Sequence, residues 1–372
     1  FAEAENGIIL FGLEAGNDPA LRAALEALAL VTGHAGRPDN GLIAVLPHAN
    51  SRGAADLGVL PDRLPGYRPV EGQAGLPAQA MLAADPPLKG MLMAGVDPAA
   101  ESEAYRAALT RLDFLVVQEL FLTETARLAD VVLPARGVAE RDGSFTNLER
   151  RVQAFDPGVP APGQAWADWL ILTALAGHLG AEWGFASSDG VMAEIARTVP
   201  LYKGMEFSNL IAPVSLARKT SHYIYEGMSF TADVREGVQW PTLLEDDPAI
   251  TPKLPLRFIA PANPPDSEDG LLLATRRVLY DAGRLLAEAE LMQPHLHQPH
   301  LHLSRADAAR LGVANGETVT VSRNGIAVTL PVQVKRQLGP GIALVARNLA
   351  GRPAEKLVGP DGLYALVKVE KD

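Results

Sequence analysis

MLMAGVDP (residues 91–98) and FLVVQELFLTETARLADVVLP (residues 114–134) decide the fold. Each opens on a short, continuous apolar run of the kind that forms a strand buried on both faces. Strands are expected at 88–94, 114–117 and 131–133, with helices at 99–112 and 119–128 between them. Strand–helix–strand units with short links give a parallel sheet with right-handed crossovers. The same alternation extends toward the N-terminus. GIILFG (7–12) reads as a strand, Asn17-Asp18-Pro19 as a helix start with Asp18 as cap, residues 20–32 as a helix apolar on nearly every face, and Gly33 as its stop. Residues 42–46 read as a second strand, and 47–75, rich in Gly, Pro and Asn, as an irregular surface excursion. The fold class is α/β, a Rossmann-like doubly wound parallel sheet.

Beyond it, residues 166–179 read as an amphipathic helix ending at Gly180, while 184–250 show mixed patterning. A Pro-rich tract at 248–265 marks a boundary, after which strands are expected at 256–260, 271–279, 317–323, 326–334, 341–345 and 364–370. Asn324-Gly325 between two alternating runs predicts a hairpin. Ser304, with Asp307 three residues on, predicts a capped helix at 304–311. This part is expected to be a small β-barrel. The domains expected are 1–183 (α/β), 184–250 (a connecting region) and 251–372 (the barrel).

The chain has 372 residues, a formal net charge of −11 and no cysteine. The zero excludes thiolate-ligated iron–sulfur clusters, Cys-type zinc sites and a catalytic thiol within these residues. The acidic balance, with a pI near 5.3, argues against an extended nucleic-acid or anionic-lipid surface, since both need clustered Lys and Arg. Mean hydropathy is +0.07, yet the longest apolar runs (7–13 and 89–96) fall well short of the roughly 18–20 residues of a membrane-spanning helix. Residues 1–6 lack the basic run of a secretory leader. The opening on Phe1 suggests a piece of a longer polypeptide or a trimmed one.

Three constellations invite a chemical reading. Two βα turns, Gly12 through Asp18-Pro19 and Gly95-Val96-Asp97-Pro98, place a glycine at the carboxyl end of a parallel strand and a helix start behind it. That arrangement lets backbone approach an anionic ligand; the alternative is an ordinary turn with Asp as cap. Glu140, Asp142 and Glu149 could form a carboxylate cluster for acid–base work, or a solvated loop with Arg136, Arg141, Arg150 and Arg151 as ion partners. His295, His297, His300 and His302 occur in HLHQPHLH. In an extended segment they pair on common faces and could take up Zn²⁺ or Ni²⁺ adventitiously, the alternative being a His-rich loop. No Ser-His-Asp order, G-x-S-x-G elbow or His-Glu-x-x-His helix occurs.

Strand-Gly-x-Asp-Pro, Thr123-Glu124-Thr125-Ala126, Ala129 through Pro134, Glu140 and Gly143-Ser-Phe-Thr-Asn147-x-Glu149 succeed one another over about 90 residues. In this order they resemble the molybdopterin oxidoreductase superfamily. Within it they resemble the large iron–sulfur subunit of bacterial respiratory complex I, NADH:quinone oxidoreductase. LVTGHAGRPDNGLIAVLPHANSRGAADLG (30–58) is similar to that subunit too, and Ala274-Thr275-Arg276 with residues 304–325 resembles the superfamily's β-barrel, which closes over a dinucleotide cofactor.

The resemblance implies a structural, non-catalytic part of the complex I peripheral arm, supporting electron flow from NADH to quinone. It implies no cofactor in this chain, with iron–sulfur clusters on a missing N-terminal part, and other peripheral-arm subunits as partners. It also implies a location on the cytoplasmic face of the inner membrane without a span of its own. Gly12, Gly95, Asp97, Asn147, Thr275 and Arg276 then become vestigial cofactor positions. Glu149-Arg150-Arg151 departs from the superfamily's Glu-Gly-Arg, placing a large side chain where backbone would approach a cofactor, and Asp97 stands where Asn is common. The alternatives are the C-terminal part of an active molybdopterin-dependent oxidoreductase such as a formate dehydrogenase, and a nucleotide-binding module that kept a guanosine site.

Overall fold

The computed structural model describes residues 1–12, 18–35, 40–46, 48–85, 87–148, 150–210, 238–239, 270–359 and 362–371. They fall into two compact units. Phe1–Val96, Leu112–Leu122 and Ala126–Pro261 form the first; Asp97–Arg111, Thr123–Thr125 and Ala262–Asp372 form the second.

In the first unit β1 (Ile8–Phe11) pairs in parallel with β2 (Gly41–Ala44). Helix α1 (Pro19–Val31) joins them, its first turn capped by the Asp18 carboxylate, which accepts from the amides of Ala20 and Leu21. The expected all-round burial of α1 is not found: Ala20, Ala23, Ala27 and Ala29 are buried, whereas Leu21, Leu28 and Val31 are exposed. The excursion after β2 is less irregular than expected. It holds α2 (Ser51–Asp56) and the strand pair β3 (Arg63–Leu64) and β4 (Arg68–Pro69), and α3 (Ala78–Leu82) follows it. Gly53 inside α2 makes room for a neighbour, because a Cβ there would lie 2.3 Å from Asn50 Oδ1.

Strand β5 (Gly90–Ala94) leads through α4 (Pro98–Glu101) and α5 (Glu103–Leu109) to β6 (Phe114–Glu119), and β7 (Val131–Pro134) comes next. These three strands are parallel in the order β5-β6-β7. The single helix expected at 99–112 is broken at Ser102, whose backbone is extended and whose hydroxyl caps α5 through the amide of Ala104. Serine competes in this way with helical hydrogen bonding. The helix expected at 119–128 is only a 3₁₀ turn at Ala126–Leu128, because β6 runs on to pair Glu119 with Pro134. Among the described residues the parallel strands form two separate sheets, not one doubly wound sheet.

An unexpected antiparallel sheet comes after β7: β8 (Gly143–Thr146), β9 (Arg151–Phe155) and β10 (Val238–Gln239), in the order β10-β9-β8. Helices α6 (Asp168–His178), α7 (Ser188–Thr198) and α8 (Phe207–Leu210) complete the described part. Helix α6 is apolar all round instead of amphipathic. Val152, Met192, Val199, Tyr202, Met205 and Leu210 form a core cluster, so residues 184–210 are packed structure within this unit.

The second unit carries a closed six-stranded barrel in the order β11-β15-β12-β14-β13-β16. Its strands are β11 (Leu271–Arg276), β12 (Leu301–Ser304), β13 (Thr318–Arg323), β14 (Ile326–Lys335), β15 (Ile342–Ala346) and β16 (Tyr364–Lys371). The short helices α9 (Arg284–Ala287), α10 (Arg305–Leu311) and α11 (Pro353–Val358) lie between them in the chain. The expected hairpin is present: Arg323 faces Ile326, and Asn324 and Gly325 both take the positive φ of a primed turn. β12 and α11 were not expected, β11 stops three residues short of 279, and the strand expected at 256–260 lies outside the described residues. Leu271, Leu273, Leu301, Leu303, Val319, Val321 and Leu357 fill the barrel at 2% exposure or less.

Leu303 has no exposed surface, so Leu303→Ala is expected to lower stability by about 3 kcal/mol through lost burial and a residual cavity. Lys371→Ala, at a surface pair with Glu317, is expected to have little effect. Urea unfolding of the two variants beside the parent checks both.

Candidate functional site

The turn after β5 begins with Gly95, at φ +66, and a Cβ there would meet nothing within 4 Å. Its N–H donates to the Gln118 carbonyl and carries the β5–β6 ladder one residue further. In the other unit, Asp97 precedes α4 but does not cap it with its side chain. Its Oδ1 accepts from the Thr125 amide at 2.8 Å and the Thr125 hydroxyl at 2.7 Å. Thr125 Oγ in turn accepts from the Ala99 amide at 3.0 Å. The Asp-as-cap reading is thus corrected: fully buried Thr125 caps the helix and Asp97 holds Thr125.

Gly12 ends β1, and the residues between it and Asp18 lie outside the described part. Asp130 holds the start of β7, its Oδ2 accepting from the Leu115 amide at 2.7 Å.

The proposed carboxylate cluster is not assembled. Glu140 Oε2 accepts from the Gly137 amide within its own 3₁₀ turn. Asp142 accepts from Ser188 Oγ and Trp169 Nε1, and Glu149 lies outside the described residues. The arginines find other partners: Arg136 donates to the Ala165 carbonyl, and Arg141 pairs with Asp168, which also accepts from Gln118. Arg141, Asp142, Ser144, Asp168, Trp169 and Ser188 line part of a cavity of about 290 Å³. Burial pulls the Arg141 guanidinium below its ordinary range, and its Nε has no partner among the described residues. Asn147 acts locally, its Oδ1 accepting from the Arg151 amide to close the β8–β9 loop. Arg150 has φ +64. The backbone conformation suited to glycine is therefore retained with an arginine in place.

Sequence reading missed a buried polar network in the same unit. Asp56, with no exposed surface, accepts from Tyr67 at 2.6 Å and Tyr202 at 3.2 Å. Thr146 Oγ donates to the Tyr202 hydroxyl at 2.8 Å, and the Thr146 amide donates to Asn50 Oδ1. Burial pushes the Asp56 carboxyl up, opposed by the two tyrosines and by Arg52 and Arg150. Burial and Asp56 push the Tyr67 phenol up to about 12. It also missed buried Gln118 and Glu119, for which the sequence did carry a signal: a polar pair ends the apolar run FLVV at the carboxyl end of a parallel strand.

On the barrel, Thr275 Oγ donates to the Leu363 carbonyl and accepts from Arg347 Nε. Arg276 is exposed and has no side-chain hydrogen-bond or ion-pair partner among the described residues. The four histidines do not share one extended segment: His295 ends a 3₁₀ helix, His302 lies in β12, and His300 reaches the Gln298 carbonyl. No three His, Asp or Glu side chains converge as metal ligands among the described residues. His302 is buried, and burial, with Arg276, Lys335 and His300 adding, pulls its imidazole down to about 4.

Residues 1–178 match the family model "Molybdopterin oxidoreductase". The chain has the molybdopterin oxidoreductase fold, mixed α/β with a six-stranded barrel, and the superfamily inferred from its motifs is the right one. Among curated proteins it is similar to the F420-dependent formate dehydrogenase 2 subunit alpha of Methanococcus maripaludis, 32% identical over 89% of this chain and 51% of that protein. The F420-dependent formate dehydrogenase subunit alpha of Methanocaldococcus jannaschii is 30% identical over 87% and 50%. The chain thus spans about half the length of these relatives. Among solved structures, acetylene hydratase from Pelobacter acetylenicus matches with a TM-score of 0.55 and 17% identity, covering 88% of this chain and 51% of that one, which shows a common fold.

These relatives overturn the expectation of a complex I subunit and of NADH:quinone oxidoreductase activity, because three proteins matched over 87–90% of the chain are formate dehydrogenase alpha subunits. The motifs that suggested complex I build turns and caps, and such groups identify a fold without selecting one member. The peripheral-arm partners and the membrane-face location rested on that subunit alone. No helix among the described residues is long and apolar enough to cross a membrane.

Two outcomes are expected. Thr125→Val, which removes the cap on Ala99 and one donor to Asp97, should destabilise by about 2 kcal/mol. Asp97→Asn keeps the acceptor and should have less effect; hydrogen exchange at the Ala99 amide reads the difference. His302 has a folded pKa below its unfolded value, so the unfolded state binds more protons between about pH 4 and 6.5. Stability should therefore fall on acidification through that window, and His302→Leu should flatten the slope in denaturation measured from pH 7 to 4.

Proposed function

We propose that this chain is part of the catalytic subunit of a molybdopterin-dependent formate dehydrogenase. The observation that carries this reading is similarity to formate dehydrogenase alpha subunits over 89% of the chain at 32% identity.

The residues present fit a pterin dinucleotide group, each unit taken by itself. In the first, Gly95 offers backbone with no Cβ and open space around it. In the second, Arg276 offers an exposed guanidinium without a partner among the described residues, suited to phosphate oxygens. When bound, a molybdenum–pterin group would supply the two-electron oxidation of formate. The chain's own contribution is binding and order. Thr125 and Asp97 fix the helix start after Gly95, Arg347 orients the Thr275 hydroxyl beside Arg276, and His302 is neutral at pH 7 and adds no competing positive charge.

The test uses the full-length protein. Molybdenum near one per polypeptide and formate-dependent reduction of a viologen dye are expected; a protein purified without molybdenum and without turnover would overturn the reading. Arg276→Glu should lower molybdenum and pterin occupancy severalfold with an unchanged circular dichroism spectrum. Undiminished occupancy would remove Arg276 from the binding role.

A further inference from the structure

The cavity beside β8 is lined by residues of the first unit alone, and its walls divide into two chemistries. One side is apolar. Phe145 and Phe155 stack with ring centroids 4.9 Å apart. The Phe155 ring lies over Gly143, its partner across the hairpin, where a Cβ would come within 3.0 Å of it. Val191, Met192 and Ile195, on one face of α7, complete this side. Aromatic faces attract cations, and do so more strongly where water is excluded.

The other side carries charge. Arg141 is paired with Asp168, whose second oxygen accepts from buried Gln118, so those two charges offset each other. Asp142 remains. Its Oδ2 accepts from Ser188 Oγ at 2.5 Å, whereas among the described residues its Oδ1 has only the Trp169 indole N–H at 3.4 Å, longer than a good hydrogen bond. Ser188 opens α7, and the positive end of a helix offsets a full carboxylate charge only in part. No lysine and no second arginine lines the cavity. Two carboxylates against one guanidinium leave one net negative charge, a poorly supported acceptor and an aromatic wall in the same space.

That combination repels an anion and suits an ammonium group, which brings a positive charge and three donors. The cavity of about 290 Å³, set against the roughly 30 Å³ share of one water, has room for about ten non-hydrogen atoms. A single ring with a short amine arm is of that size.

We propose that this cavity is a binding site for a small organic amine, its ammonium group held by Asp142 and its single-ring apolar body packed against Phe145, Phe155 and the apolar face of α7. The amine would tie the β8–β9 hairpin to α7. None of these residues is assigned to the cofactor, so the site stands or falls separately from formate oxidation.

Calorimetric titration of the full-length protein at neutral pH and low salt tests this with phenethylamine, phenethyl alcohol and phenylacetate, which present one ring with a cationic, a neutral and an anionic head. The amine is expected to bind saturably and severalfold tighter than the alcohol, and phenylacetate not at all. Asp142→Asn should abolish the preference for the amine over the alcohol, and Val191→Phe, which fills the cavity from α7, should abolish binding of both. No saturable amine binding at millimolar ligand, equal affinity for amine and alcohol, or a preference that survives Asp142→Asn would overturn the proposal. If Asp142→Asn does not fold, wild-type crystals soaked in bromophenethylamine decide. Anomalous bromine signal between the Phe145–Phe155 pair and α7 supports the site, and bromine elsewhere, or none, sinks it.

Discussion

A backbone that leaves a helix or strand inside a folded unit must still find a partner for each N–H and C=O. In this protein, side chains of the motif loops supply many of those partners. Thr125 caps Ala99 and is itself held by Asp97. Asn147 closes the β8–β9 loop, Asp130 starts β7, and Asn50 receives the Thr146 amide. The barrel obeys the same rule. Ser304 caps α10 through the Asp307 amide and donates to the Asp307 carboxylate, which also accepts from Gly341 at the entry to β15. Each loop is a closed hydrogen-bonded unit, and its recognisable letters are the ones that close it.

That constraint explains why the superfamily was readable and the member was not. Gly-x-Asp-Pro, Thr-Glu-Thr-Ala and Gly-Ser-Phe-Thr-Asn describe how to turn a chain at the end of a parallel strand and cap the next element. Any polypeptide with this fold, catalytic or structural, has the same turns to make. A preference for the respiratory subunit therefore had nothing member-specific beneath it, and similarity over 87–89% of the chain favoured formate dehydrogenase alpha subunits instead.

Elements whose signal is local were legible. Apolar runs marked β1, β2, β5, β6 and β7, the Asn-Gly pair marked the β13–β14 hairpin, and Ser304 with Asp307 marked α10. The elements that escaped were set by distant partners. The β8–β9 hairpin has no alternating run long enough to announce itself and is stabilised partly by the Phe145–Phe155 stack at 4.9 Å. Strand β12 hides His302 in a position where composition suggests a solvated loop, and helix α11 starts after Arg352 in a left-handed conformation that the sequence does not signal. In the candidate site, the turn at Gly95 after a strand was legible, but the acceptor role of Asp97 depended on Thr125, 28 residues away. Asp56, Tyr67 and Tyr202 meet across a span of 146 residues, a distance at which spacing carries no information.

The Glu-Arg-Arg departure shows how a substitution can be judged from the wrong side. Seen as sequence, replacing glycine by Arg150 removes the close backbone approach that a cofactor would need. In the structure the left-handed backbone remains, and the loop closes through Asn147 and the backbone of residues 150 and 151. The loop and the 50–67 segment are joined instead through the Thr146–Tyr202–Asp56 chain of hydrogen bonds. The departure thus keeps a left-handed turn at residue 150, a conformation that glycine adopts at less strain.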